Sequence, residues 1–473
     1  MITATDFTLA MPLVALTATV LLVIIAEAAT VGRAPFSYVL TILGLVVTGL
    51  LAGLNMRLQG EAFNGMMVTD ALTSFMTILF VFAGVITSLV ARPYLEKRNA
   101  HRGEFYILLL FAIIGMVLMA SANDLITLFL GIELMSVCLY VLAGFERAKD
   151  RQNESSLKYF LLGAFATGFL LYGIALIYGS TGSTSLTVIG NAYAGIANQQ
   201  RCLLGVALLI VGLGFKVAAV PFHMWAPDVY EGAPTVVTGF MATGGKSAAF
   251  AALIAVMLRT FDIGGSATSN VLALLAVASM IVGNVVAIAQ TNLKRMLAYS
   301  SVAHAGYLLA GIASGSPEGA AGVVLYLTAY TATTLGAFAV IAWLEHPNDE
   351  GTTLDDYVGL SKHQPVLAAL MALYMFSLTG IPPFAGFVGK YYVFMAAVRA
   401  DLTWLAVIGV LTSAVSAFYY LRVIVNMYFR DRDGEPLPLP QLPVMVALGV
   451  TAALVVAVGI LPSLVLQLIS HAL

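Results

Sequence analysis

The chain has 473 residues, of which 60% are hydrophobic and only 10% charged, and its formal net charge is −2. Soluble globular proteins are about a quarter charged, so a water-soluble fold is excluded. The basic residues are spread through short connections instead of forming a continuous patch, which excludes a nucleic-acid surface.

Apolar runs of 18 or more residues recur from end to end, each long enough to cross about 30 Å of hydrocarbon as a helix. In chain order they predict an all-α polytopic membrane protein, a single membrane domain over 1–473, with about 14 spans. The spans lie near 8–28, 36–55, 70–91, 104–120, 123–144, 156–178, 202–224, 234–258, 269–289, 295–314, 320–343, 364–395, 402–428 and 442–470. The first run has no basic leader and no small-residue cleavage site, so no removable signal peptide is expected. Glu27 reads as interfacial at the end of span one, and the GxxxG at Gly49–Gly53 as a close helix contact. The 364–395 stretch is too long for one simple helix.

Lysine and arginine alternate between the connections. One set of loops holds fifteen of the 22 (Arg33 and Arg432 among them), the other holds four (Arg57, Arg201, Arg259, Arg399), and three lie inside spans. Basic residues stay cytoplasmic, which predicts both termini on the periplasmic or outer side.

Those three are Lys216 in span seven, Lys246 in span eight and Lys390 in span twelve; Glu133 in span five is a fourth membrane charge. Each costs roughly 2.5–3.5 kcal/mol at a helix centre even on lenient insertion scales, and the default reading is an ion or proton path. Span seven continues into GFKVAAVPFHMWAPDVYEGAPT, where Pro221 breaks the helix five residues after Lys216, and Asp228 and Glu231 fall at the cytoplasmic end and its loop. Broken helices at membrane depth are tolerated only inside protein or beside a wet cavity, where freed carbonyls can hold an ammonium. Span twelve repeats the theme: Pro382 and Pro383 interrupt it and Lys390 follows. Spans seven and twelve run in opposite directions, which points to inverted repeats.

The search for redox or nucleotide chemistry is negative. Cys138 and Cys202 stand isolated as buried structural thiols, and the histidines (His101, His223, His304, His346, His363, His471) are scattered. GGKS at 244–247 lacks the first glycine of a phosphate loop, since Phe240 holds that position.

GFKVAAVPFHMWAPDVYEGAPT, KRMLAYSSVAHAGY (294–307) and LTGIPPFAGFVGK (378–390) resemble the antiporter-like membrane subunits of respiratory complex I. WAPDVYEGAP and SLKYFLLGAFATGFLLYGIALIYG (156–179) resemble the subunit N group of the bacterial proton-pumping NADH–quinone oxidoreductase in particular. Val236 departs from that group, which has proline after the residue matching Thr235.

The resemblance implies two inverted five-helix units, spans 4–8 and 9–13, within a proton-conducting core over 121–415. It implies a Glu133–Lys216 charge pair, an axis continuing through Lys246 to Lys390, His223 and His304 as intermediates with water, and Lys158 as a tuning group. It implies no cofactor in this chain; NAD, FMN, iron–sulfur clusters and quinone belong to the assembled complex, whose other membrane subunits, sister antiporter-like subunits among them, are the partners, with lipid, water and protons. The location it implies is the bacterial inner membrane. Two alternatives stand beside it: a cation/proton antiporter subunit, disfavoured by the WAPDVYEGAP wording, and a non-conducting scaffold, which has no use for buried charges. Each site also has a plainer reading: Glu133 as a helix–helix hydrogen-bonding group, Lys216 as a structural ion-pair partner, Lys246 and Lys390 as snorkelling side chains, and His223 and His304 as packing groups. The loops HPNDEGTTLDDYVGLSKHQP (346–365) and RDRDGEPLPLPQLP (430–443) read as partner surface or solvated connection.

Overall fold

The computed structural model describes residues 3–30, 34–193, 195, 199–261, 263–431 and 439–469. Arg33, Arg432, His471 and positions 432–438 of the proline-rich loop lie outside the described residues.

The order is α1 (Ala4–Leu9), α2 (Met11–Thr30), α3 (Ala34–Asn55), β1 (Gly60–Ala62), β2 (Met67–Thr69), α4 (Ala71–Lys97), α5 (Gly103–Ser121), α6 (Leu125–Ala143), α7 (Asp150–Thr181), α8 (Leu186–Tyr193), α9 (Gln199–Val217) and α10 (Trp225–Gly232). It continues with α11 (Thr235–Phe240), α12 (Lys246–Leu253), α13 (Ala267–Ile288), α14 (Leu293–Ala313), α15 (Pro317–Leu344), α16 (Leu360–His363), α17 (Pro365–Thr379), α18 (Ala385–Arg399), α19 (Thr403–Phe429), α20 (Leu442–Ile460) and α21 (Ser463–Ile469). Among the described residues 13 helices are long and apolar enough to cross a membrane, with Thr235–Thr260 counted as one. The expected twelfth span is the interrupted pair α17–α18.

Helix starts follow local chemistry. Asp124 accepts the amides of Ile126 and Thr127 at 2.8 and 3.3 Å, and Asn292 accepts that of Arg295 at 3.1 Å. Ser316 caps α15 with Pro317 at its first position, where a missing amide costs nothing. α15 is the axis of the molecule, with its apolar window wholly buried, whereas α2 and α3 sit at the rim with 28% of theirs buried. α6 reaches α5 so closely that a Cβ on Gly115 would lie 2.5 Å from the Met135 amide nitrogen.

Several expectations are corrected. A two-stranded antiparallel hairpin, Gly60–Ala62 with Met67–Thr69, occupies a loop of this otherwise helical chain; Phe63, Asn64 and Gly65 turn it with φ of 54, 58 and 79°. Of the Gly49–Gly53 pair only Gly49 makes a close helix contact: a Cβ there would lie 3.3 Å from Val81 Cγ1, whereas one on Gly53 would meet nothing within 4 Å. Span seven ends at Val217, and Asp228 and Glu231 lie on a helix of their own, α10. The acidic 346–365 loop folds back onto the protein: Asp349 accepts from Lys149 at 2.6 Å and Arg98 at 3.2 Å, and Leu354, Tyr357 and Gln364 are buried.

Candidate functional site

Lys216, Lys246 and Lys390 are only 7%, 2% and 5% exposed, so none snorkels. Each is held differently.

Lys216 occupies the last turn of α9, before the chain leaves helical geometry at Ala218 (φ 58°). Its Nζ donates to Ser136 Oγ at 2.7 Å and Tyr140 OH at 3.4 Å, both on α6. Glu133, half-buried, accepts instead from Thr167 Oγ1 on α7 at 3.0 Å. The expected Glu133–Lys216 pair is therefore not in contact. Residues 133, 136 and 140 follow the three- and four-residue spacing of one helix face, which puts two hydroxyls where the carboxylate was expected.

Lys246 lies inside the 235–260 span, directly after a π-helical turn, Met241–Gly245. Such turns often mark functional positions. Its Nζ donates to the Ser301 carbonyl at 2.6 Å and to the Ser301 hydroxyl, both on α14. One turn further along α14, His304 Nδ1 lies 2.7 Å from Tyr326 OH and Nε2 3.0 Å from Tyr420 OH. The Tyr420 hydroxyl also bonds Ser300. A neutral imidazole donates from one nitrogen and accepts at the other, so His304 joins the two phenols in sequence.

Lys390 follows the second break, where Gly380 caps α17 in the left-handed region (φ 89°). Its Nζ donates to the carbonyls of Leu378 and Thr379, both at 2.9 Å, and to Ser413 Oγ at 2.8 Å. These carbonyls belong to the end of α17, which has no helical amides left to satisfy them. The ammonium stands 5.0 Å from the centre of the Tyr307 ring. Tyr307 OH accepts from Asn284 Nδ2 at 2.9 Å, and Asn284 Oδ1 accepts from Tyr419 OH at 2.8 Å. A cavity of about 640 Å³ between α18 and α19, largely apolar, reaches Lys390 and Ser413.

Two expected members stand apart. Lys158 is 44% exposed and pairs with Glu154 at 2.7 Å and Asp228 at 3.2 Å. His223 lies half-buried in the first break, its Nδ1 unpartnered, with no hydrogen bond to either lysine. Sequence reasoning also missed Ser136, Tyr140, Ser301, Tyr326, Tyr420 and Asn284; the signal available was polar residues, such as the Ser300–Ser301 and Tyr419–Tyr420 doublets, within apolar spans.

At the membrane edge Asp228 accepts from Arg295 Nη1 at 2.7 Å, and the same nitrogen reaches Glu231 at 2.8 Å. Partial burial pushes the Asp228 carboxyl up, but hydrogen bonds from Arg295 and Lys158, with their charges, hold it below its ordinary 3.8. Among the described residues no group of three or more His, Cys, Asp or Glu could hold a metal, and both cysteines are free and buried.

Residues 122–416 match the family described as NADH:quinone oxidoreductase/Mrp antiporter, transmembrane. The chain is 47% identical over 475 residues to NADH-quinone oxidoreductase subunit N 1 of Chloroherpeton thalassium, covering 99% of this chain and 98% of that one. It superposes on a chain of respiratory complex I from Thermus thermophilus, solved with bound aureothin, with a TM-score of 0.84 and 36% identity, covering 96% and 98%. A chain of the Mrp complex from Dietzia sp. shares the fold, with a TM-score of 0.87 at 21% identity, covering 98% and 96%.

Proposed function

Since the chain belongs to the NADH:quinone oxidoreductase/Mrp antiporter membrane family, as a membrane subunit of NADH–quinone oxidoreductase, we propose that it carries protons across the bacterial inner membrane. The path is the file Glu133, Lys216, Lys246, His304 and Lys390, within a core spanning 121–415 made of two inverted five-helix units. NAD, FMN, iron–sulfur clusters and quinone act in partner subunits, and quinone reduction there supplies the energy. Both termini lie on the periplasmic side, in keeping with the basic loops.

The observation that carries this reading is a file of three hydrogen-bonded segments across the second half. Lys246 donates to Ser301, the neighbouring Ser300 shares Tyr420 with His304, and the Asn284–Tyr307 arm approaches Lys390. The hydroxyls and the imidazole of these segments both donate and accept and can pass a proton in either direction, while the Asn284 amide positions Tyr307 and Tyr419; buried cations at this depth mark ion and proton pathways. Where Glu133 stands off from Lys216, the ammonium rests only on neutral hydroxyls. Low dielectric disfavours a charge held that way, so separation favours passing the proton on towards Lys246. Approach of Glu133 favours reloading. A neighbouring subunit drives the cycle by stabilising the two arrangements differently.

The test is proton pumping and quinone reduction in vesicles carrying the assembled complex with Lys216→Ala. Both rates falling together in an intact complex supports the path; wild-type rates overturn it. Loss of assembly with unchanged pumping per complex in Glu133→Gln would favour the scaffold reading.

A further inference from the structure

Resting on the proton-carrying reading, we propose that Thr167 on α7 is the positioning residue that holds Glu133 away from Lys216. The turning of its one hydroxyl proton sets how often the carboxylate and the ammonium meet.

Threonines inside the spans ordinarily donate to their own helix four residues back, as Thr77 does to Thr73, Thr328 to Val324 and Thr412 to Ile408. Thr167 has that acceptor too, the Gly163 carbonyl at 2.9 Å. It also has a second one, Glu133 Oε1 at 3.0 Å. A hydroxyl carries a single proton, so it serves one of the two at a time. Among the described residues no other span threonine bonded four residues back also donates to a carboxylate. Thr167 is buried, and its hydrogen bond is the one that the Glu133 side chain makes among the described residues.

The same turn of α7 arranges the lysine. Gly163 has no side chain, and the Tyr140 hydroxyl fills that place, where a Cβ would overlap it. Tyr140, so seated, is one of the two hydroxyls under the Lys216 ammonium, and Ser136 is the other. Ser136 donates its own proton to the Ile132 carbonyl, which leaves its lone pairs for the ammonium. Glu133 and Ser136 lie one turn apart on α6, a spacing that sets Cβ atoms about 5–6 Å from each other. A rotation of the Glu133 side chain therefore carries the carboxylate towards the ammonium. The hydrogen bond from Thr167 opposes that rotation. Hydrogen bonds to an ionised acceptor are stronger than neutral ones, so the latch holds while the proton faces Glu133 and opens when it turns to Gly163. One turn of α7 thus governs both members of the pair.

The experiment is Thr167→Val in the assembled complex, with pumping and quinone reduction measured in vesicles. Valine keeps the shape of threonine, and the Gly163 carbonyl keeps its helical amide, so assembly is expected to hold. The coupled rate should fall about fivefold (roughly 1 kcal/mol in barrier), because Glu133 then stays with Lys216 and delays the release of its proton. Thr167→Ser, which returns the hydroxyl, should restore the rate. In a Glu133→Gln background there is no carboxylate to hold, and Thr167→Val should add a loss of less than about twofold. Infrared spectra of the purified complex give a second readout: the carboxylate band that Glu133→Gln abolishes should shift in Thr167→Val and return in Thr167→Ser. Wild-type rates in Thr167→Val overturn the latch, as does a loss that serine does not restore or one equally large beside Glu133→Gln. Should Glu133→Gln leave no rate to compare, the band decides, and an unshifted band overturns the latch. Wild-type rates in Lys216→Ala overturn the proton path itself.

Discussion

The two interrupted helices solve one problem in opposite ways. In the first, the broken end provides for itself: the Phe215 carbonyl accepts the Ala218 amide at 3.1 Å and the Trp225 indole at 2.9 Å, and the Gly214 carbonyl accepts Ala219 at 2.8 Å. Lys216 is left to side-chain hydroxyls of another helix. In the second, the lysine itself satisfies the broken end, through the Leu378 and Thr379 carbonyls. A lysine held by hydroxyls on a neighbouring helix can be released by a small helix shift. One held by main-chain carbonyls at a helix C-terminus, where the dipole favours a cation, is fixed in place. The first lysine is held by rotatable hydroxyls and the second by fixed carbonyls.

Removing each ammonium gives the largest contrast. Lys390→Ala strips the Leu378 carbonyl of its donor and leaves the Thr379 carbonyl only Ser413 Oγ at 3.4 Å; at about 1–3 kcal/mol for a buried group left unsatisfied, it should lower the thermal midpoint of the detergent-solubilised complex accordingly. Lys216→Ala leaves hydroxyls that can turn elsewhere; Ser136 already donates to the Ile132 carbonyl at 2.5 Å. It should cost about half as much or less, the transfer and cavity costs being common to both. Equal midpoints for the two variants would remove the distinction.

The cap residues test the same contrast through the backbone. Gly380→Ala imposes a left-handed conformation on an L-residue, about 1–2 kcal/mol, and its Cβ would come within 3.1 Å of Lys390 Cδ. Ala218 already bears that conformation at the first break. Ala218→Gly should fall within about 1 kcal/mol of wild type, the relief being offset by unfolded-state entropy. Chemical denaturation of the two variants checks the difference, and a destabilised Ala218→Gly would show that the first break depends on its cap.

The spans and their charges were legible because hydrocarbon thickness dictates one and the rarity of intramembrane lysine marks the other. Partners of those charges were not. Hydroxyls within spans commonly bond their own helix, as Thr77 does to Thr73 and Ser88 to Gly84, so nothing in the local sequence tells Ser301 from Ser88. The π turn before Lys246 has no residue signature of its own. Contact between Glu133 and Lys216 depends on helix separation and rotamer, which spacing along a chain leaves open. Lys158 stands at the start of its span as expected, but its partner Asp228 could not be read: α7 begins earlier than the apolar run, and its first turns project beyond the span to meet α10.

Under the proposed path, the phenols between the two lysine sites should set the coupling. Tyr420→Phe removes the bonds to Ser300 and His304 together while leaving Tyr326 on the ring. We expect about a tenfold fall in coupled pumping, some 1.4 kcal/mol in barrier. Ser301→Ala should cost only about two- to threefold by the same relation, since Lys246 keeps the Ser301 carbonyl at 2.6 Å. Steady-state pumping in vesicles ranks the two, and the reverse order would place the critical step at Lys246 instead of at the phenols.

The smallest effect lies outside the membrane span, where α10 ties the first break to α14 and α7. Asp228 has its carboxyl pK held below 3.8 by Arg295 and Lys158 against the opposing effect of partial burial. A carboxylate depressed in this way stabilises the folded state fully above its ordinary value, and the contribution fades as pH falls through the folded one. The clamp should therefore be constant at neutral pH and weaken below about pH 4. Because these groups are partly exposed, the contribution is worth about 0–1 kcal/mol and less at high salt. Hydrogen exchange of the Trp225–Gly232 amides should accelerate in acid in the wild-type protein beyond its intrinsic rate. Asp228→Asn should show that faster exchange already at neutral pH, with little further change in acid. An unaltered profile would mean that Arg295 holds α10 through Glu231 alone, leaving the first break anchored by a single carboxylate.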